Sequence, residues 1–247
     1  MKTLLLATAF LMIPISFIYA QGVKAAGGPF AVVELFESEG CSDCPPADDL
    51  LRQITASARS NGAHVYTLDF EVDYWNGSSW SDPFSSPLFS DRQRQYAGIL
   101  PGGVYTPEMI INGKEAFVGS DEGKATQYID QYLSLPSENN ITLDLDQSGS
   151  DLKVNYAVAA QGAHAVINFA LVERGLESQV TGGENGGRSL KHDNIVRELK
   201  TIYLSDLKGT VTFSKPQEKD LTRFSVIAFL QSSRKMSILA ASGVDLK

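Results

Sequence analysis

The stretch Phe30–Asp49, FAVVELFESEGCSDCPPADD, decides the reading of this chain. Ala31, Val32, Val33, Leu35 and Phe36 make an apolar run of the length of a buried strand, and Glu37 to Gly40 is a short polar turn after it. Cys41-Ser42-Asp43-Cys44 follows at the expected start of a helix. Pro45 and Pro46 suit a first turn, where a missing N–H costs nothing, and Ala47, Leu50, Leu51, Ile54 and Ala58 recur at helical spacing. Strand, turn, Cys-x-x-Cys and helix form the layout of a thiol–disulfide redox site. The open N–H groups and dipole of the helix start favour a thiolate, so Cys41 is the candidate nucleophile and Cys44 the resolving thiol. Glu37, Glu39 and Asp43 oppose a second anion there, which points to a moderate exchanger. Two other readings stay open: a structural disulfide, and half of a copper or zinc site. The second lacks ligands, since the chain has no third cysteine and only His64, His164 and His192.

Outward from this centre, Lys2 precedes an uncharged apolar run from Leu4 to Ala20, followed by small and polar residues. That is the pattern of a secretory signal, residues 1–25, with cleavage near Ala20 or Ala25 and a periplasmic or secreted destination. Pro14 interrupts the run, which is short for a membrane anchor. A net charge of −8 argues against nucleic acid or an anionic membrane as partner. Two cysteines in an oxidising compartment mean that apolar cores, not a disulfide framework, hold the fold.

Ala63 to Phe70 reads as a second strand, with Asn61-Gly62 as the helix stop. Residues 71–100 form an insertion carrying Tyr74, Trp75, Trp80, Phe84, Phe89 and Tyr96, with a short helix over Ser90 to Ala97 that exposes Arg92 and Arg94. These aromatics line a substrate groove or pack a small satellite core. Thr106-Pro107 stands before two short strands, Met109 to Ile111 and Glu115 to Val118, joined by a type I′ turn at Asn112-Gly113. A proline entering a strand is often a cis bond. Ser120 is a candidate N-cap for a last helix carrying Ala125, Tyr128, Ile129, Tyr132 and Leu133.

Residues 136–140 are a linker. Beyond it, seven strand-like runs (Ile141 to Asp146, Leu152 to Val158, Ala165 to Val172, Val196 to Leu204, Thr210 to Ser214, Phe224 to Gln231, Met236 to Ala241) predict a β-sandwich over 141–247. Within the glycine-rich connection Thr181 to Leu199, the residues Glu184, Arg188, His192 and Arg197 either reach the redox face or pair locally on a surface loop. The fold class expected is thus an α/β thioredoxin-like domain over 28–135 (βαβ, insertion, ββα) followed by an all-β, sandwich-like C-terminal domain.

VVELFESEGCSDCPPADDLL, VDYWNGSSWSDPFSSPLF with RQRQYA, GVYTPEMIINGKEAFVGSD and GGENGGRSLKHDNIVREL resemble the blocks of the secreted thioredoxin-like family catalogued as domain of unknown function 1223. The resemblance implies redox positions for Cys41 and Cys44, the cis-proline position for Pro107, and backbone hydrogen bonds from Thr106-Pro107 to an extended substrate. It implies no established substrate. One departure is Glu71, where many members carry histidine. Glu34, a carboxylate in an apolar strand, either lies beneath the disulfide and takes the proton of Cys44, or sits at the sheet margin.

The function expected is an exported thiol–disulfide oxidoreductase: catalytic Cys41, Cys44 and Glu34; substrate contacts from Thr106, Pro107 and Trp75; no metal. No nucleotide, haem or flavin motif is visible, so no cofactor is expected, and the partner is a thiol- or disulfide-containing protein or a small thiol. The rival from another class is an envelope binding or scaffold protein whose Cys-x-x-Cys is a staple.

Overall fold

The computed structural model describes residues 28–159 and 164–247. The expected signal segment lies outside them. Strand β1 (Ala31–Glu37) leads through the cysteine turn to helix α1 (Pro45–Asn61), which stops at Gly62 in the left-handed conformation, and returns as β2 (Val65–Glu71). Helix α2 (Pro87–Ala97), strands β3 (Glu108–Ile111) and β4 (Glu115–Val118), and helix α3 (Glu122–Leu133) follow. Asn112 and Gly113 both have positive φ in the β3–β4 turn, as a type I′ turn requires. The N-cap of α3 is Asp121, not Ser120: its carboxylate accepts from the Lys124 N–H. Then come β5 (Asn140–Asp146), β6 (Asp151–Ala159), β7 (Ala165–Glu173), β8 (Leu176–Gln179), β9 (Ser189–His192), β10 (Ile195–Tyr203), β11 (Lys208–Ser214), β12 (Phe224–Ser232) and β13 (Ile238–Asp245). The short pair β8–β9 lies partly in what reads from sequence as one polar connection.

The expected fold class is overturned. Thirteen strands against three α-helices make the described residues mostly β, and an α/β thioredoxin-like core followed by an all-β unit is not what forms. One mixed eight-stranded sheet, in the order β13-β12-β7-β10-β2-β1-β3-β4, runs through both halves of the chain. The join is at β2, whose free edge takes β10 in parallel with Ile195 opposite Asp69. Asn194 fastens it, donating from Nδ2 to the carbonyl and hydroxyl of Thr67 and accepting the Asp69 N–H at its backbone carbonyl. An open edge is a row of unmet backbone groups, and the later strands meet them.

The cores follow from this sheet. Alternate residues of β7 and β12 face opposite ways: Phe169, Leu171, Val226 and Ala228 pack beneath the three-stranded sheet β11-β6-β5, whereas Ala170, Val172, Ile227 and Phe229 pack with Val32, Phe36, Leu68 and Phe70. On the other side of β1, Val33 and Leu35 meet Ala47 and Leu51 of α1 and Ala125 and Tyr132 of α3. Helix α1 therefore covers one face of β1 and α2 the other, and this division sets the chemistry of the strand.

Candidate functional site

Cys41 and Cys44 are bonded to each other. Cys44 is the N-cap position of α1, so the disulfide sits at the helix start, where the spacing places it. Both cysteines are 1% exposed, although Ser42 and Asp43 between them are open to solvent. Their cover comes from the glycine-rich stretch 181–188. Asn185, fully buried, donates from Nδ2 to the carbonyls of Cys41 (2.8 Å) and Glu39 (3.0 Å), and its own carbonyl accepts from Arg188. Glu184 accepts the Ser42 N–H at 3.0 Å, and hydrogen bonds from Ser42 hold its carboxyl below the usual range. Gly182 can lie where it does only without a side chain, since a Cβ would fall 1.8 Å from the Ser79 carbonyl oxygen. Of the two readings of this stretch, Glu184 reaches the cysteine turn and His192 the carboxylates of Glu39 and Asp48 that flank it, whereas Arg188 pairs locally with Asn185. Arg197 instead pairs with Glu173 at 3.5 Å and lies over the Phe84 ring.

Trp75, Thr106 and Pro107 come together beside the disulfide. Trp75 packs against Gly40 and donates from its indole N–H to the Thr106 hydroxyl at 2.8 Å. The Thr106-Pro107 peptide is cis. Gly119 makes room for Pro107 beside the first turn of α1, because a Cβ there would lie 3.1 Å from both Ala47 Cβ and Pro107 Cβ. The other insertion aromatics divide: Phe89 and Tyr96 are core, while Tyr74 and Trp75 keep exposed surface.

Two sequence expectations are corrected here. Glu34 is neither beneath the disulfide nor at the sheet margin. It points to the α2 face of β1, where Arg92 donates to its two oxygens at 2.6 and 3.0 Å and Tyr96 donates at 2.6 Å. Arg92 is accordingly buried, not exposed, and only Arg94 faces solvent. Burial works against charge on Arg92, but Glu34 and Tyr96 together outweigh it and hold the guanidinium above its usual value. The pleat explains the placement: Glu34 shares a face with Val32 and Phe36, while the residues under α1 are Val33, Leu35 and Glu37.

It is Glu37 that lies on the cysteine side, and it has company. Asp69 and Glu71 of β2 are paired with Leu35 and Glu37 across the parallel ladder, so they share that face. Asp48 enters from the first turn of α1 and Glu39 from the turn before Cys41. Asp82 fixes that turn by accepting from the Glu39 N–H and the Ser38 hydroxyl. Among these acids stands His192 at the end of β9, carried there by the turn that locks Asn194 onto β2. Its Nδ1 lies 3.1 Å from Asp48, 3.6 Å from Glu71, 3.7 Å from Glu37 and 3.9 Å from Asp69, and its Nε2 lies 3.3 Å from Glu39. Glu37, Glu39, Asp69, Glu71 and His192 have no exposed surface.

Burial pushes the carboxyls of Glu37, Asp69 and Glu71 well above the usual range, and neighbouring carboxylates (Asp48 for Glu37 and Asp69, Glu37 for Glu71) add to it. Burial disfavours the charged form of His192, but Asp48, Glu39 and Glu71 together outweigh it and hold the imidazolium well above its ordinary value. Sequence reasoning missed this group. The available signal was the alternation of Glu37 with Val33 and Leu35, and of Asp69 and Glu71 with Thr67.

No helix among the described residues is long and apolar enough to cross a membrane. A crystal structure of a protein from Agrobacterium tumefaciens, AGR_C_4864, is similar at 25% identity with a TM-score of 0.64, covering 88% of this chain and 96% of that one. A domain of the outer membrane lipoprotein Omp28 from Porphyromonas gingivalis matches at 13% identity over 45% of this chain and 89% of that one, with a TM-score of 0.29, too low to carry an argument. Among curated proteins no match is found. The profile of a family described as proteins of unknown function, DUF1223, matches residues 32–231, and the chain belongs to that family.

Proposed function

We propose that this protein is an exported thiol–disulfide exchange protein, working in the periplasm or outside the cell on a protein or small-molecule thiol. The observation that supports it is the Cys41–Cys44 disulfide at the first turn of α1, with Trp75 and Thr106 beside it. In the reduced protein the Cys41 thiolate attacks a partner disulfide, forming a mixed disulfide and expelling one partner thiolate. The Cys44 thiolate then attacks Cys41 Sγ, releases the second partner thiolate and closes the Cys41–Cys44 bond. Two partner thiols are gained and two protein thiols lost, so electrons balance. Thr106 and Trp75 offer an extended partner segment polar and aromatic contacts next to the reacting sulfurs, and Pro107 backs them.

One observation favours a second reading, a structural staple in a binding protein: both sulfurs lie under the 181–188 strap. The deciding experiment is equilibration in glutathione buffers followed by alkylation of free thiols. A potential of about −120 to −270 mV supports exchange, and one below about −300 mV makes the disulfide a staple.

The strap gives a second test. Asn185→Ala removes two hydrogen bonds to the cysteine turn, worth about 1 kcal/mol each, so dithiothreitol should reduce the disulfide up to roughly thirtyfold faster. An unchanged rate means that the strap does not gate access.

A further inference from the structure

The group around His192 does more than line the underside of the disulfide. Five carboxylates, of Glu37, Glu39, Asp48, Asp69 and Glu71, stand within 3.9 Å of one imidazole, and among the described residues their ion pairs are with that imidazole alone. Both oxygens of Glu37, Glu39, Asp69 and Glu71 lack a hydrogen-bond donor, and the buried His192 Nε2 makes no hydrogen bond. Buried polar groups are normally satisfied; outside this group the buried atoms without a partner among the described residues are Arg52 Nε, Trp80 Nε1 and Asn194 Oδ1, none of them a carboxylate oxygen. Glu34 has Arg92, and Glu173 has Arg197 and Arg223. Unmet oxygens of four carboxylates converging on one imidazole, whose Nδ1 already pairs with Asp48, leave more negative charge than that imidazole can balance and mark a place that takes positive charge from outside the chain.

The geometry suits a metal ion. One ligand atom each from Glu37, Asp48, Asp69 and His192 can be chosen so that all lie within 4.8 Å of one another. An ion bonded at about 2.1 Å holds adjacent donors about 3.0 to 3.4 Å apart and opposite ones about 4.2 Å apart, the scale of the His192–carboxylate distances. Carboxylate oxygens suit hard divalent ions, and an imidazole nitrogen among them shifts preference from Ca2+ and Mg2+ toward first-row ions.

We infer that Glu37, Asp48, Asp69 and His192 bind one divalent first-row cation of the Mn2+ or Zn2+ kind, with Glu71 and Glu39 at its margin. The site is assembled from both halves of the chain: β1, α1 and β2 bring the carboxylates and β9 the imidazole. The ion would pin the β9–β10 turn to the cysteine face, independently of whether the disulfide exchanges.

The test keeps the protein oxidised, so that the sulfurs are not free to bind. The full chain is unfolded in denaturant with chelator and refolded with no metal, MnCl2, ZnCl2, CaCl2 or MgCl2. Bound metal is then counted by elemental analysis after dialysis, and thermal unfolding is recorded. The expected result is one Mn2+ or Zn2+ per chain and a raised Tm. Asp69→Asn, nearly isosteric, is expected to weaken binding at least tenfold, with His192→Gln as the second variant should Asp69→Asn misfold. Exposed Glu122→Gln is expected to leave binding unchanged. Substoichiometric metal throughout, binding that survives both site variants, binding lost only in Cys41→Ser/Cys44→Ser, or a preference for Ca2+ or Mg2+ would each overturn the assignment. The glutathione potential tests the exchange reading separately, so either can fail alone.

Discussion

Strand β1 carries two buried carboxylates three positions apart, and its two faces treat them in opposite ways. On the α2 face Glu34 is enclosed by its own protein: Arg92 forks onto both oxygens, Tyr96 bonds one of them, and Gln231 ties Arg92 and Tyr96 together. On the α1 face Glu37 meets four more carboxylates and one imidazole, and neither of its oxygens has a donor. Burying a charge is tolerable when a partner is buried with it. The first face gives one carboxylate its own cation; the second sets five carboxylates around a single imidazole. The closed face is therefore expected to matter for stability, and the open face for what binds beside the disulfide.

The largest expected effect breaks the closed face. Arg92→Met leaves Glu34 buried without a cation, which should cost about 3–5 kcal/mol in urea unfolding. Glu34→Gln combined with Arg92→Met should recover much of that loss, because an amide needs no countercharge. If Arg92→Met costs less than about 1 kcal/mol, Glu34 has another means of neutralisation and the contrast between the faces collapses.

How far the two faces were legible in the sequence depends on what periodicity can carry. The face of α1, the alternating β6 and the Asn112-Gly113 turn are local, and the residues announced them. The joining of the halves through β2 and β10 is not local. It rests on one register pair and on the Asn194 clamp, and no period of 2 or 3.6 reports which distant strand lies alongside. A trace was present: AVINFALVE of β7 and FSVIAFLQ of β12 are nearly continuous apolar runs, which strands show when both faces are covered. One sandwich core would have buried only one face of each. The cysteines were legible because spacing and helix start are enough to place them. The acid group was not, because Glu37 reads as part of a turn, Asp69 as a strand residue and Glu71 as the start of an insertion until the fold sets His192 among them.

Glu108 offers an intermediate case that sharpens the comparison. It is buried at the start of β3, and its partner is the neutral amide of Gln93 at 2.8 Å. Burial raises its pKa to about 7, and the Gln93 hydrogen bond offsets only part of that. A carboxyl whose folded pKa is raised favours the fold while protonated, so its contribution is complete below about pH 4.5 and is lost as pH rises through 7. Glu108→Gln should then flatten the fall in stability between about pH 5 and pH 8, by an amount of order 2 kcal/mol. Thermal unfolding across that range reads it, and a parallel pH profile for parent and variant would show that Glu108 stays ionised.

The smallest expected effect is the most diagnostic, because its sign differs between the two faces. In chelator at about pH 8, Glu37→Gln replaces one of five carboxyl groups crowded around a single imidazole with a neutral amide of the same shape, and should stabilise the fold by about 1 kcal/mol. The same variant refolded with Mn2+ or Zn2+ should gain less from the metal than the parent does, because a ligand has gone. Arg92→Met behaves otherwise, destabilising by the same amount with or without metal, since its face is closed. A cation-dependent change of sign at Glu37, absent at Arg92, is what separates a pocket built to hold an ion from a pair built to hold the fold. Should Glu37→Gln instead destabilise in chelator by several kcal/mol, the carboxylate already has its partner within the chain, and the two faces of β1 solve the same problem in the same way.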